Sequence, residues 1–171
     1  MDQAWLAKCL VKELYYDAGT LRWSVSKPAH GLRTRKSPGD IATVAFLKGR
    51  YLSVSYRNKG FLAHRLVWLI IHGVWPTIHV DHVNGDGTDN LVSNLRLATP
   101  TQNSHNSAGV TATSSKYKGV TWAAHANKWR AQLRRNGKSH IGYFTSERAA
   151  ALAYNAVALK YHKEFARLNV I

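Results

Sequence analysis

Residues 79–106, HVDHVNGDGTDNLVSNLRLATPTQNSHN, constrain the fold more than any other stretch, because their pattern changes character repeatedly within a short span. A strand-like run around Val80 leads into a loop rich in Asn, Gly and Asp, and a second short strand follows near Leu95–Ala98. A helix then begins. Thr99 can cap it, Pro100 suits its first turn, and Gln102 completes a Thr-x-x-Gln capping box.

Upstream, Leu21, Trp23 and Val25 alternate with polar residues, as do Leu52, Val54 and Tyr56, which predicts two half-buried strands. Over 63–71 the apolar positions fall at helical spacing, and Gly73 with Pro76 ends that element. Residues 107–115, SAGVTATSS, are small, polar and aperiodic, as a linker is. The chain therefore divides into a first domain over 1–106, a linker over 107–115 and a second domain over 116–171.

In the second domain, residues 128–134 alternate strictly. Trp129, Ala131 and Leu133 take one face, and Lys128, Arg130, Gln132 and Arg134 the other. Asn136-Gly137 is a strong hairpin signal that would join this strand to one over 138–144, and an earlier strand around 118–122 would make three. Thr145-Ser146-Glu147 opens a helix in which Ala149, Ala150, Ala153, Ala156 and Val157 form a small-residue stripe able to lie close on a sheet. The fold class is α+β.

Twenty-four Lys and Arg against nine Asp and Glu give a formal charge of +15, so the expected partner is a polyanion. Acidic membrane surfaces fit less well, because no basic amphipathic helix stands out. Cys9, the lone cysteine, excludes an intramolecular disulfide and a cysteine-based zinc site. The opening MDQAWLAKCLVKEL lacks a signal-peptide pattern, and the apolar run at 66–71 is too short to span a bilayer. A cytoplasmic protein is expected.

Three of the nine acidic residues, Asp81, Asp86 and Asp89, cluster in this basic chain. Turn chemistry explains Asp86 and Asp89. Asp81 differs, since it sits in the strand-like stretch beside His82. Phosphodiester hydrolysis needs a group to deprotonate water and a cation to neutralise charge on the phosphate and the leaving oxygen. Histidine side chains titrate near neutrality and suit the first task. Asp81 and the amide oxygen of Asn103 could hold Mg²⁺ or Mn²⁺. Neighbouring strand residues point to opposite faces, so Asp81 and His82 can serve together only if the strand ends or twists there.

HRLVW at 64–68, VDHVNGD at 80–86, Asn90, SNLRLAT at 93–99 and QNSHN at 102–106 resemble the HNH endonucleases, in the subgroup of phage homing enzymes. The resemblance implies a ββα-metal fold, with Asp81 and Asn103 as metal ligands, His82 as general base, and Asn94 tying the loop and keeping the imidazole oriented. Many members carry His where Asn103 stands and another where Ser107 stands; the departure implies a single-ion site with few protein ligands and disfavours zinc. His64 is expected to pack beneath the site and Arg65 to pack there or meet a phosphate. His79 and His105 read as exposed positions beside the site, and His72 as a helix-end residue.

SKYKGVTW at 115–122, KWRAQLRR at 128–135, IGYF at 141–144, the Ala-rich helix and ARLN at 166–169 resemble the AP2 domain, a three-stranded antiparallel sheet backed by one helix. By position, Lys118, Thr121, Gln132, Arg134, Lys138 and His140 would contact double-stranded DNA; Arg130 shares the basic strand face. Trp122, Trp129, Tyr143 and Tyr154 are expected in the core. Together these features indicate a metal-dependent DNA endonuclease. The rival is a DNA-binding regulator that keeps an inactive nuclease fold, and an RNA-binding module finds no aromatic-rich motif in its favour. Monomer and homodimer stay open.

Overall fold

The computed structural model describes residues 2–28, 35–46, 49–108, 114–135, 138–139 and 141–171. The chain forms two compact units, Met1–Thr99 and Pro100–Ile171. The boundary falls just before the helix that the sequence places at the end of the first domain, so this helix groups with the second unit.

The first unit opens with α1 (Gln3–Val11), whose Asp2 carboxylate accepts from the Ala4 N–H at 3.2 Å. A hairpin of β1 (Leu14–Asp17) and β2 (Thr20–Trp23) follows, then an antiparallel sheet of β3 (Val44–Phe46), β4 (Tyr51–Tyr56) and β5 (Lys59–Leu62) with β4 central. The alternation at Leu21 and Trp23 does form a strand, but Val25 lies beyond its end. Helix α2 (Ala63–His72) occupies the stretch of helical periodicity, and it stops because Gly73 takes the left-handed conformation, its N–H bonding the Leu69 carbonyl at 2.9 Å. Its inward side chains Leu66, Val67 and Leu69 join Leu6, Leu10, Leu21, Val54 and Phe61 in one buried core. Val80 and Leu95 extend that core beneath β6 (His79–His82) and β7 (Leu95–Ala98), which pair antiparallel with Asp81 opposite Arg96.

The second unit begins with α3 (Pro100–Asn106). Its three-stranded antiparallel sheet has β9 (Lys128–Ala131) between β8 (Val120–Ala123) and β12 (Gly142–Phe144), with β10 (Arg134–Arg135) and β11 (Lys138–Ser139) paired separately. The strand expected over 128–134 thus ends at Ala131, because its neighbour β8 begins only after Gly119, whose φ of +73° is not extended; the Gln132 N–H still bonds the Gly119 carbonyl at 2.8 Å. Asn136-Gly137 lies outside the described residues.

Helix α4 (Glu147–His162) starts where Ser146 accepts from the Ala149 N–H at 3.1 Å, and its Ala150 and Ala151 pack on Val120 and Ala131. The small side chains let the helix approach the sheet. Gly119 sits at φ +73° against Tyr154, and a Cβ there would collide with that ring.

Candidate active site

β6 ends at His82, and the chain turns at once: the Gly85 N–H bonds the His82 carbonyl at 2.8 Å, and the Val83 N–H bonds the Asn94 carbonyl at 2.8 Å. That ending is what the sequence required for two neighbouring side chains to act together. Asp81 is 6% exposed and His82 4%. Two ionisable side chains so buried need partners.

Asp81 has one directly across the ladder. Its Oδ2 accepts from Arg96 Nε at 3.0 Å and Nη2 at 2.8 Å. The sequence reading did not single out Arg96, because its meeting with Asp81 depends on the strand register. A carboxylate has acceptor sites for about four donors, so this ion pair and a hard cation are chemically compatible.

The His82 ring belongs to a group of three rings. It meets His64 edge to face, centroids 4.9 Å apart at 85°, and Tyr51 lies 5.6 Å from His64 and 6.2 Å from His82. His64 is 5% exposed, and its Nδ1 is buried without a hydrogen-bond partner among the described residues. Burial first, then the nearby His82 and Arg65, push its pKa down to about 3, so it stays neutral at physiological pH. His64 therefore packs against the site, in the place the sequence reading expected.

The loop from Val83 to Leu91 holds itself in shape. Asp86 accepts from the Thr88 N–H and hydroxyl, at 2.9 and 2.7 Å; those bonds lower its pKa. Asp89 accepts from Asn84 Nδ2 at 2.8 Å and the Leu91 N–H at 3.2 Å. Both acids are turn formers. Asn94 ties the loop at three points: Oδ1 accepts from the Asn84 N–H at 2.9 Å, while Nδ2 donates to Asn84 Oδ1 at 3.0 Å and to the Asp89 carbonyl at 2.8 Å. The side-chain bond to the His82 imidazole comes from a different residue, Asn90, whose Oδ1 lies 3.2 Å from His82 Nε2. Sequence reading used Asn90 only as part of a motif.

Arg65 is committed to backbone. It donates to the Pro76 carbonyl at 2.6 Å and the Ile78 carbonyl at 3.1 Å, with its guanidinium 4.7 Å from the Trp75 ring. It holds the connection between α2 and β6, and burial lowers its pKa.

Asn103 lies on α3, in the second unit. There, His105 stacks on His162 with centroids 3.5 Å apart, and Lys118 Nζ donates to the carbonyls of His105 at 2.6 Å and Ser107 at 2.5 Å. Lys118, which the AP2 likeness assigns to DNA, is thus engaged with the end of α3. Burial, then Arg167, lowers its pKa to about 8.

Across the sheet, Thr121, Arg130 and Tyr143 form one cross-strand row on the face away from Val120 and Ala131. Tyr143, expected in the core, is instead 43% exposed beside Arg130, because it pairs opposite Arg130 and not opposite Ala131. Trp122 is also largely exposed, while Trp129 is half-buried and Tyr154 buried. Gln132 follows β9, outside the ladder. Arg134 and Lys138 lie in the small two-stranded pair; their side chains, and all of His140, fall outside the described residues.

Among the described residues, no three His, Cys, Asp or Glu side chains gather as a metal cluster. The donors to be tested are thus a carboxylate and amide oxygens, which suit a hard cation carrying much of its own water.

Residues 61–105 match the HNH endonuclease family. This HNH segment runs from Phe61 on β5 into α3 and contains Asp81, His82, Asn90, Asn94 and Asn103. Over 121 residues, 69% of the chain, the protein is 41% identical to an uncharacterized HNH endonuclease of Acanthamoeba polyphaga mimivirus. Over 78 residues, 45% of the chain, it is 33% identical to Protein 3.8 of Escherichia phage T7. The chain spans 62% and 64% of the lengths of these two relatives. No solved structure matches it. HNH nucleases generally use divalent metals, in keeping with the oxygen donors of the HNH segment. Among the described residues no helix is long and apolar enough to cross a membrane.

Proposed function

We propose that the chain is a divalent-metal-dependent DNA endonuclease of the phage homing type, in which the HNH segment cuts and an AP2-like sheet holds the duplex. The observation that carries the reading is the burial of Asp81 and His82 side by side at the end of β6, within a segment that matches the HNH family.

Asp81, with Asn103 as the resemblance implies, would hold Mg²⁺ or Mn²⁺. When bound, the ion supplies Lewis-acid stabilisation of charge on the scissile phosphate and the departing oxygen. His82 takes the proton of the attacking water as its oxygen bonds to phosphorus. The bond from phosphorus to the 3′ oxygen breaks, and that oxygen is protonated from solvent. The products are 5′-phosphate and 3′-hydroxyl ends. One such site cuts one strand, so a monomer nicks and a double-strand break takes two events or a dimer.

Thr121 and Arg130 support DNA contact by the second unit. Thr121 Oγ1 and Arg130 Nε are both buried without a hydrogen-bond partner among the described residues, on neighbouring strands of the face turned from the core. A phosphate or base edge would satisfy them. Lys118, Gln132, Arg134, Lys138 and His140 are assigned to the same surface by the AP2 resemblance alone, and Arg65 to phosphate by the HNH one. Viral relatives support a reaction in the cytoplasm of an infected cell.

Nicking of supercoiled plasmid in Mg²⁺ or Mn²⁺ tests the proposal. His82→Ala and Asp81→Ala should each reduce nicking by about 100-fold or more. Nicking that survives both changes would remove these residues from the chemistry. Tight DNA binding with no cutting in either metal would instead make the chain a DNA-binding regulator with an inactive nuclease fold.

A further inference from the structure

The second unit contains a cleft of about 290 Å³, lined by Lys116 and Lys118 just before β8, by Arg167 and Asn169 beyond α4, and by Ala108 just after α3. Three of its lining side chains are cationic and none is a carboxylate.

Hydrogen bonds hold the cleft in shape before any ligand arrives. The Asn169 side chain accepts from the Lys118 N–H at 2.7 Å and donates to the Lys118 carbonyl at 3.1 Å. Asn155, on α4, grips the Asn169 backbone in turn, donating to its carbonyl at 2.9 Å and accepting from its N–H at 2.8 Å. A preformed cleft loses little further freedom when it binds.

Gathering cations at such a place is electrostatically unfavourable, whereas charges scattered over a surface repel one another weakly. The repulsion is felt, since the charge of Arg167 adds to burial in holding the Lys118 ammonium down at about 8. Lys118 already spends two of its three protons on the His105 and Ser107 carbonyls. Lys116 is exposed, its ammonium 5.1 Å from the Tyr117 ring.

We propose that this cleft binds a phosphate group of the DNA backbone, gripped by Lys116 and Arg167. The proposal rests on the second unit being the part of the chain that holds DNA. Thr121, Arg130 and Tyr143 do not line the cleft, so it is a second anchor beside their row on the sheet. A guanidinium offers paired N–H donors to phosphate oxygens, and a lysine adds a mobile point charge. Such a contact fixes the duplex in position and leaves the reading of base edges to the sheet.

Lysine acetylation of the full-length protein in EDTA, read by mass spectrometry, tests the proposal without substitution. Duplex at about ten times its Kd should slow acetylation of Lys116 about 10-fold, and Lys160, exposed on α4, should keep its rate. Inorganic phosphate at matched ionic strength should protect Lys116 far less; equal protection by phosphate and duplex would overturn the assignment to the DNA backbone. Lys116→Met combined with Arg167→Met should lower the salt slope of duplex binding by about one. The charge-matched pair Lys8→Met and Lys160→Met should leave that slope at its native value. An unprotected Lys116, or equal slopes in the two double variants, would overturn the proposal. Loss of nicking with Lys116 still protected would remove the nuclease reading alone, whereas an unprotected Lys116 in a protein that binds and nicks duplex would remove the cleft alone.

Discussion

Asp81 and Arg96 stand directly opposite each other in the β6–β7 ladder, and one carboxylate oxygen accepts two hydrogen bonds from the guanidinium. Cross-strand pairing makes the partnership geometrically unavoidable once the register is set. Arg96 also neutralises a carboxylate that burial would otherwise penalise.

Removing Arg96 should therefore expose that penalty. Arg96→Ala is expected to lower the unfolding free energy by about 3 kcal/mol, measured by urea titration, because it leaves a buried charge without its partner. Mn²⁺ should then raise the melting temperature of the variant by more than it raises that of the native protein, since a cation can replace the lost positive charge. Equal responses to Mn²⁺ would count against Asp81 as a cation ligand.

His64 gives the first unit an acid sensitivity whose sign is fixed. Its folded pKa of about 3 lies below the ordinary 6.5, so between these values the unfolded chain binds more protons. Its contribution to stability is complete above about pH 6.5, falls as pH drops, and levels off below about 3. The slope approaches about 1.4 kcal/mol per pH unit for one proton. His64→Phe keeps a ring against His82 and should flatten this part of the stability profile between pH 6 and 4. Superimposable profiles for native protein and variant would show that His64 does not carry it.

How legible these features were depends on whether their cause is local. Helix α2 and the strands β6 and β7 could be read because periodicity and turn chemistry lie in adjacent residues. The β1–β2 and β4–β5 hairpins could not, since their turns use Ala18 and Gly19, and Arg57 and Asn58, at positive φ, instead of a typical Asn-Gly pair. Asp81 and His82 were visible as a motif. The engagement of Asp81 by Arg96 needed a strand register, and Asn90 looked like an ordinary turn former until the fold brought its amide to the imidazole.

Gly119 is expected to be irreplaceable in the second unit. Its φ of +73° disfavours any side chain, and a Cβ would strike both Tyr154 and the Gln132 carbonyl. Tyr154 is buried, with burial pushing its phenol up to about 12, and cannot move aside into solvent without opening the helix–sheet contact. Gly119→Ala should cost more than about 2 kcal/mol. Hydrogen exchange should accelerate in β8 and α4 while α2 and β4 keep their protection. Unchanged exchange in β8 would refute this.

Arg130 and Lys118 are both basic residues of the proposed DNA-binding unit, yet the structure gives them different work. Arg130 has a buried Nε with no hydrogen-bond partner among the described residues, whereas Lys118 is already bonded to two carbonyls at the end of α3. Arg130→Ala should weaken binding to duplex DNA and reduce the salt slope by about one for a lost phosphate contact. Lys118→Met should leave that slope near its native value and instead speed amide exchange in the last turn of α3, where the carbonyl partners are lost. If Lys118→Met lowers the slope as Arg130→Ala does, the lysine leaves its carbonyls to meet phosphate when DNA binds, and the AP2 assignment of that position stands.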